Sequence, residues 1–185
     1  MTSRPGRDTY RHGNLRGEAI AAARALIVES GHEALSLRRV ADAVGVAHRS
    51  LYNHFEDREA LLDAVAEEAF VALATALKAA TDAGLFVAAY VGFALSNPAI
   101  FALMTSRPHG AMKKRPSLQR AVHLGLTEAL RLFARPDRDS AENRRAVMKV
   151  IILLQGGLAM YADGILDLPD DEALVAELRA MVADA

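Results

Sequence analysis

Residues 37–55 read LRRVADAVGVAHRSLYNHF, and the spacing inside this stretch admits few folds. Val40, Ala41 and Val44 recur at helical intervals, Gly45 interrupts, and Leu51 begins a second apolar series after a short gap. Two helices that cross closely need a small residue at the crossing, which Ala41 supplies, and a turn residue that tolerates positive φ, which Gly45 supplies. Val40, Val44, Val46 and Leu51 are placed to lock the pair. An ordinary αα-corner shares the glycine, but the fixed relative positions of all six residues predict a helix-turn-helix. At ~100° per residue, His48, Arg49, Tyr52 and Asn53 fall on one arc of the third helix, with Ala47 and Leu51 facing away. An exposed arc of His, Arg, Tyr and Asn has no packing purpose and offers donors and acceptors for base edges and phosphates.

The flanking periodicity continues the all-helical theme. Asn14 is a candidate N-cap for a helix carrying Leu15, Ile20, Ala23, Leu26 and Ile27 and ending at Gly31. Ser36 caps the next helix, a third runs from about Ala47 to Asn53, and Asp57 opens a long amphipathic helix to about Ala80. Further helices are expected at about 85–96, 99–105, 117–134 and 140–164, with a last one after Leu168-Pro169-Asp170. His109 to Pro116, which holds Lys113, Lys114 and Arg115, reads as an exposed loop. Apolar residues make up 52% of the chain and aromatics only 5%, so the core must be built largely from Ala, Leu and Val. The expected organisation is a basic arm (1–13), a helix-turn-helix unit (14–56), a connecting helix (57–82) and a helical body (83–185).

Net charge is −1, but its distribution is uneven: residues 1–55 carry eight Arg against five Asp and Glu, leaving the remainder acidic. A basic head on an acidic body suits a protein that meets phosphate on one side. Cysteine is absent, which excludes disulfides, thiolate zinc sites and Cys nucleophiles. The polar residues Met1 to Asp8 carry no secretory pattern. The apolar run Val150 to Ala162 is shorter than the ~20 residues of a membrane span, so a soluble cytoplasmic protein is expected. Catalytic signatures such as HExxH, GxSxG, GxGxxG and the phosphate loop are missing. A carboxylate-bridged di-iron bundle needs two Glu-x-x-His pairs, and only Glu29-Ser-Gly-His32 fits, across a helix end. No catalytic group, metal or cofactor is expected.

Residues 10–82 resemble the DNA-binding domain of the tetracycline-repressor (TetR) family, through HGNLRGEAIAAARALIVESG, LSLRRVADAVGVAHRSLYNHF and EDREALLDAV. The body is similar, less specifically, to one C-terminal type in that family through YVGFALSNPAIFALM and GGLAMYADGIL. The resemblance implies an all-α fold, three helices in the head and about six in the body. It also implies a homodimer that reads a palindromic operator in double-stranded DNA, and a small-molecule effector. Carried over by position, Tyr52 and His54 match the phosphate-contacting pair, Ser36 and Arg38 open the second helix beside phosphate, and Arg58 sits where a backbone-contacting Lys is common. His48, Arg49 and Asn53 would read bases. Two departures stand out: Arg49 replaces what is often a small residue, and Ala47 replaces the Ser or Thr that often caps the recognition helix. In the eighth helix Gly156 stands where many relatives with this body type precede a glycine by His, so no role of that His carries over.

In the body, Phe86, Tyr90 and Phe93 recur at i, i+4 and i+7, and Phe101, Met104, His123, Met148, Ile152 and Gln155 join them as candidate effector contacts. Core packing accounts for most of these residues equally well. Gly156 and Gly157 would allow close helix approach and, with Met160, are expected at a dimer seam. The expected effector is a small, largely apolar molecule, because these helices offer few polar groups. The alternative is a DNA-binding dimer with no effector, in which the body only dimerises.

Overall fold

In the computed structural model of the chain, residues 14–107 and 109–183 are described, and among them every regular element is an α-helix. The expected basic arm, residues 1–13, lies outside the described residues. The chain divides into two compact units, Met1–Leu62 and Asp63–Ala185. That boundary falls inside the helix Arg58–Lys78.

The first unit is built from α1 (Leu15–Ser30), α2 (Leu37–Val44), α3 (His48–Leu51) and the opening residues of α4 (Arg58–Lys78). The Asn14 side chain caps α1 by accepting from Gly17 N–H at 3.3 Å. Leu15, Ala19, Ile20, Ala23 and Ile27 form its buried face. Ser36 Oγ caps α2 by accepting from Arg39 N–H at 3.2 Å. Gly45 then turns left-handed (φ 75°, ψ 32°). Its N–H donates to Asp42 at 3.3 Å and Val46 N–H donates to Ala41 at 3.0 Å, the paired bonds of a Schellman ending. A Cβ at Gly45 would meet nothing within 4 Å, so the demand for glycine here is the dihedral angle, not space. Ala41 is fully buried, while Val44 and Val46 are half-buried.

In the second unit, α5 (Ala83–Ser96) is capped by Asp82, α6 (Pro98–Ser106) opens on a proline, and α8 (Pro116–Phe133) does likewise. Helix α9 (Ser140–Ala162) begins with a capping box in which Asp139 accepts from Glu142 N–H at 2.7 Å and Glu142 accepts from Asp139 N–H at 2.8 Å. Helix α10 (Asp171–Ala183) packs on α5 and α9, and α8 packs on α9. The segment expected as a loop from His109 to Pro116 instead forms a short helix, α7 (His109–Met112), before the turn into α8. Met112 is its anchor, with only 9% of its surface exposed.

The glycine pair of α9 does not behave as one unit. A Cβ at Gly157 would lie 2.5 Å from Leu178 Cδ2 of α10, whereas nothing lies within 4 Å of one at Gly156. Gly157 therefore serves close packing of α9 on α10 within the chain. Gly156 and Met160 are exposed, along with Met148 and Ile152. By length and composition α9 is one described helix that could cross a membrane, but this apolar face continues into the charged residues Arg144, Arg145 and Lys149.

Candidate nucleic-acid interface and body cavity

Helix α3 is only one turn long, too short to be stable alone, so its placement rests on side-chain anchors. Leu51 is fully buried and Phe55 is 3% exposed, and Phe55 N–H donates to Leu51 O at 2.9 Å. The Arg16 guanidinium stands 5.6 Å from the centre of the Phe55 ring, within cation–π reach. Opposite these anchors His48, Arg49, Tyr52, Asn53 and His54 are all exposed. The His48 and Tyr52 rings meet edge to face at 5.1 Å, which stiffens the start of the exposed arc.

The helix is shorter than the expected Ala47–Asn53. Tyr52 N–H bonds to Arg49 O at 3.3 Å and His54 N–H to Leu51 O at 2.9 Å, tight i−3 contacts that end it. Ala47 makes no side-chain cap and is exposed, so it does not share the inward side with Leu51 as the helical arc predicted. The reason is that Ala47 is extended (φ −64°, ψ 135°) and lies outside the helix whose period was applied to it.

At the start of α2, Arg38 is exposed and Ser36 is half-buried with its hydroxyl proton still able to donate. The adjacent Arg39 turns back instead: its Nη1 donates to Ser30 Oγ at 3.0 Å and Ala34 O at 2.9 Å. Arg58 is likewise drawn inward. Its Nε donates to Leu35 O at 2.8 Å, and its Nη2 donates to His32 O at 2.6 Å and Glu33 O at 3.2 Å, while Nη1 pairs with Glu59. Four of its five N–H groups are engaged in tying the α1–α2 connection to α4, which departs from the phosphate contact the resemblance implies.

The second unit encloses a cavity of about 260 Å³. Of the nine candidate effector contacts, Phe86, Tyr90, Phe101, Met104, Met148 and Gln155 line it together, although they come from α5, α6 and α9. Phe93 is half-buried elsewhere, and His123 is exposed beside a separate small space with Met112 and Gln119. Ile152 is 63% exposed, while Ile151, one residue round the helix, faces the cavity. Tyr90 meets Phe101 edge to face at 5.8 Å, and its hydroxyl accepts from Gln155 Nε2 at 3.4 Å. Burial pushes the Tyr90 phenol above its ordinary pKa, an effect that the Gln155 hydrogen bond opposes. Met148 and Gln155 are exposed as well as lining, so the cavity reaches the surface beside α9.

Sequence reasoning missed two polar lining residues, Thr105 and Arg107. The Arg107 side chain is 10% exposed, and its Nη1 lies 3.3 Å from Asp63 Oδ1. Asp63 Oδ2 lies 3.2 Å from Arg115 Nε, so one carboxylate joins two guanidiniums. Arg115, expected in a solvated basic loop, therefore has a structural partner. No local signal announces this cluster, because Asp63 is 44 residues or more from either arginine in sequence. Among the described residues no three His, Asp or Glu side chains converge as a metal site would require.

Comparison with known proteins follows the same division. Residues 19–65 match the family described as bacterial regulatory proteins, tetR family, and residues 85–184 match the tetracyclin repressor-like C-terminal domain. The HTH-type transcriptional repressor KstR2 of Rhodococcus jostii (strain RHA1) is 37% identical over 65 residues, which are 35% of this chain. That match spans about a third (32%) of the length of the curated relative. A solved protein of unknown function from Rhodococcus sp. RHA1 is 30% identical, with a TM-score of 0.75 over 96% of this chain and 98% of its own. A tetR-family transcriptional regulator from Streptomyces coelicolor shares the fold at 18% identity, with a TM-score of 0.67 over 92% of this chain and 79% of its own.

Proposed function

The chain belongs to the TetR family of bacterial regulatory proteins, and from that premise we propose that it is a dimeric, sequence-specific DNA-binding repressor. A small molecule in the body cavity releases it from its operator. The observation that carries the DNA-binding part is the exposed set His48, Arg49, Tyr52 and Asn53, held on the buried anchors Leu51 and Phe55. In this reading the protein works in the cytoplasm and catalyses no reaction.

Arg49 is the base reader in this proposal, since its fork can hold a guanine edge at two points. Tyr52 and His54 contact phosphate, and Ser36 and Arg38 fix the register of the second helix. Arg49→Ala should weaken a specific site by ~1–3 kcal/mol and relax one base position. Tyr52→Phe should weaken all sequences alike, because phosphate contacts carry little sequence information. Binding-site selection with purified protein, followed by titration of operator and random duplexes, checks both. Equal losses on operator and random DNA for Arg49→Ala would overturn its assignment.

The homodimer is proposed to form through the exposed apolar face of α9, where Met148, Ile152, Gly156 and Met160 recur every four residues, with Leu124 of α8 also exposed. An isologous pairing covers this face on both copies at once. It would also present two recognition elements to half-sites one DNA turn apart, a spacing of ~34–36 Å. Ile152→Glu places a charge in that face and should give a monomer by light scattering, with loss of operator binding. A native protein that is monomeric at micromolar concentration would remove the dimer from the proposal.

A further inference from the structure

Among the described residues, the walls of the body cavity are apolar except at Tyr90, Thr105, Arg107 and Gln155. Thr105 Oγ1 donates back along its own helix, to Phe101 O at 3.1 Å and Ala102 O at 3.2 Å, and Arg107 faces Asp63. Gln155 is exposed, so water serves the part of its amide that Tyr90 does not. Tyr90 differs from all three. Only 6% of its surface is exposed, its hydroxyl accepts from Gln155 Nε2 at 3.4 Å, and among the described residues it donates to no acceptor. A hydroxyl has one proton to give, and a buried one needs an acceptor for it. The ring is fixed by stacking on Phe86 at 6.4 Å and by the edge-to-face contact with Phe101, so this donor stands at a defined point of the cavity wall. Burial raises the phenol pKa, which keeps the proton in place at neutral pH.

We infer that the cavity takes an uncharged ketone or ester with a compact apolar body, whose carbonyl oxygen accepts from the Tyr90 hydroxyl. The inference rests on the reading of the body as an effector-binding unit and sharpens the largely apolar ligand expected from sequence. A carbonyl suits one buried donor, because it accepts and has no proton of its own to place. An ionised acid or amine would give up its hydration among apolar walls whose one charged side chain, Arg107, is already engaged by Asp63. The apolar body lies against Phe86, Phe101 and Met104. A volume of about 260 Å³ exceeds the ~150 Å³ that admits benzene and falls just short of the ~300–1,000 Å³ typical of larger ligands. The body is therefore one ring or a medium-length chain. Sugars and nucleotides need more buried hydrogen-bond partners than four polar side chains provide.

The test uses the full chain without DNA, titrated by calorimetry with acetophenone, propiophenone, cyclohexanone and methyl benzoate, each beside a hydrocarbon of the same shape. Benzoate, phenylacetate and benzylamine serve as charged counterparts. At least one carbonyl compound should bind, and more tightly than any of the three ions. Tyr90→Phe keeps the ring and removes only the hydroxyl. It should weaken that compound about two- to tenfold, the range for one neutral hydrogen bond, and leave its hydrocarbon unchanged or tighter. In native protein the infrared carbonyl band of the bound compound should lie below its position in cyclohexane, a readout that needs no variant to fold. The proposal is overturned if no carbonyl compound binds, if an ion binds more tightly, if Tyr90→Phe moves carbonyl compound and hydrocarbon alike, or if the bound band matches that in cyclohexane. Operator titration of the same preparations separates this from the regulatory reading. A Tyr90-dependent ligand that leaves DNA affinity unchanged supports the ligand class while removing its role as effector. Operator binding with no carbonyl compound bound overturns the ligand class and leaves the DNA-binding proposal standing alone.

Discussion

Phe55→Ala should lower the stability of the first unit by about 3–5 kcal/mol, the range for truncating a buried aromatic. Phe55 is 3% exposed and follows directly on a helix of four residues. Such a helix contributes almost no stability of its own. Truncation removes the ring that Arg16 covers and leaves Leu51 as the sole buried side chain between the start of α3 and Phe55. In a domain this small each kcal/mol corresponds to roughly 4–8 °C in melting temperature, so the change is easily measured. Binding to operator and to random DNA should fall together in Phe55→Ala, because the whole exposed arc loses its seat. Arg49→Ala, in contrast, should leave the melting temperature in place. Retention of the native melting temperature by Phe55→Ala would show that the arc is anchored by other means.

Arg58→Met should also be a stability variant, costing about 2–4 kcal/mol, and not a simple loss of a phosphate contact. Three backbone carbonyls, of His32, Glu33 and Leu35, lose a charged donor in this substitution. A hydrogen bond to a charged group contributes ~1.5–3 kcal/mol, and at 35% exposure of the Arg58 side chain water screens the bonds and replaces part of what is lost, so the cost falls below the sum of three. Arg58→Lys should rescue little, since one ammonium cannot span three carbonyls as a planar fork does. Urea denaturation monitored by circular dichroism decides the matter. If the native midpoint is kept while all DNA affinities fall together, Arg58 is a backbone contact and the intramolecular role is wrong.

Where the controlling interaction spans no more than four or five residues, the sequence was enough. Asn14 and Ser36 cap the helices they precede, because a cap bonds to an N–H three residues on. Gly45 ends α2 because its dihedral angle belongs to that position whatever surrounds it. Leu51 faces inward and Arg49 outward because the helical period spaces them so. The same reasoning failed at Ala47, where the period was extended one residue past the helix it describes. It failed at His109 to Pro116, where polar and basic residues masked a short helix anchored by Met112.

What the sequence by itself determined was the all-α class, the helix-turn-helix and the exposed arc, since each is written in local spacing and local caps. Tertiary structure alone decided that Gly157 meets Leu178, that Arg58 reaches back to the carbonyls of His32 and Leu35, and that Asp63 joins Arg107 to Arg115. It also separated Ile151 from Ile152, sending one to the cavity and the other to the surface, on a helix apolar over much of its circumference. On such a helix the periodic pattern does not state which stripe meets which neighbour. Partners twenty to fifty residues or more apart leave no mark in spacing, because only the packing of whole elements brings them within bonding distance.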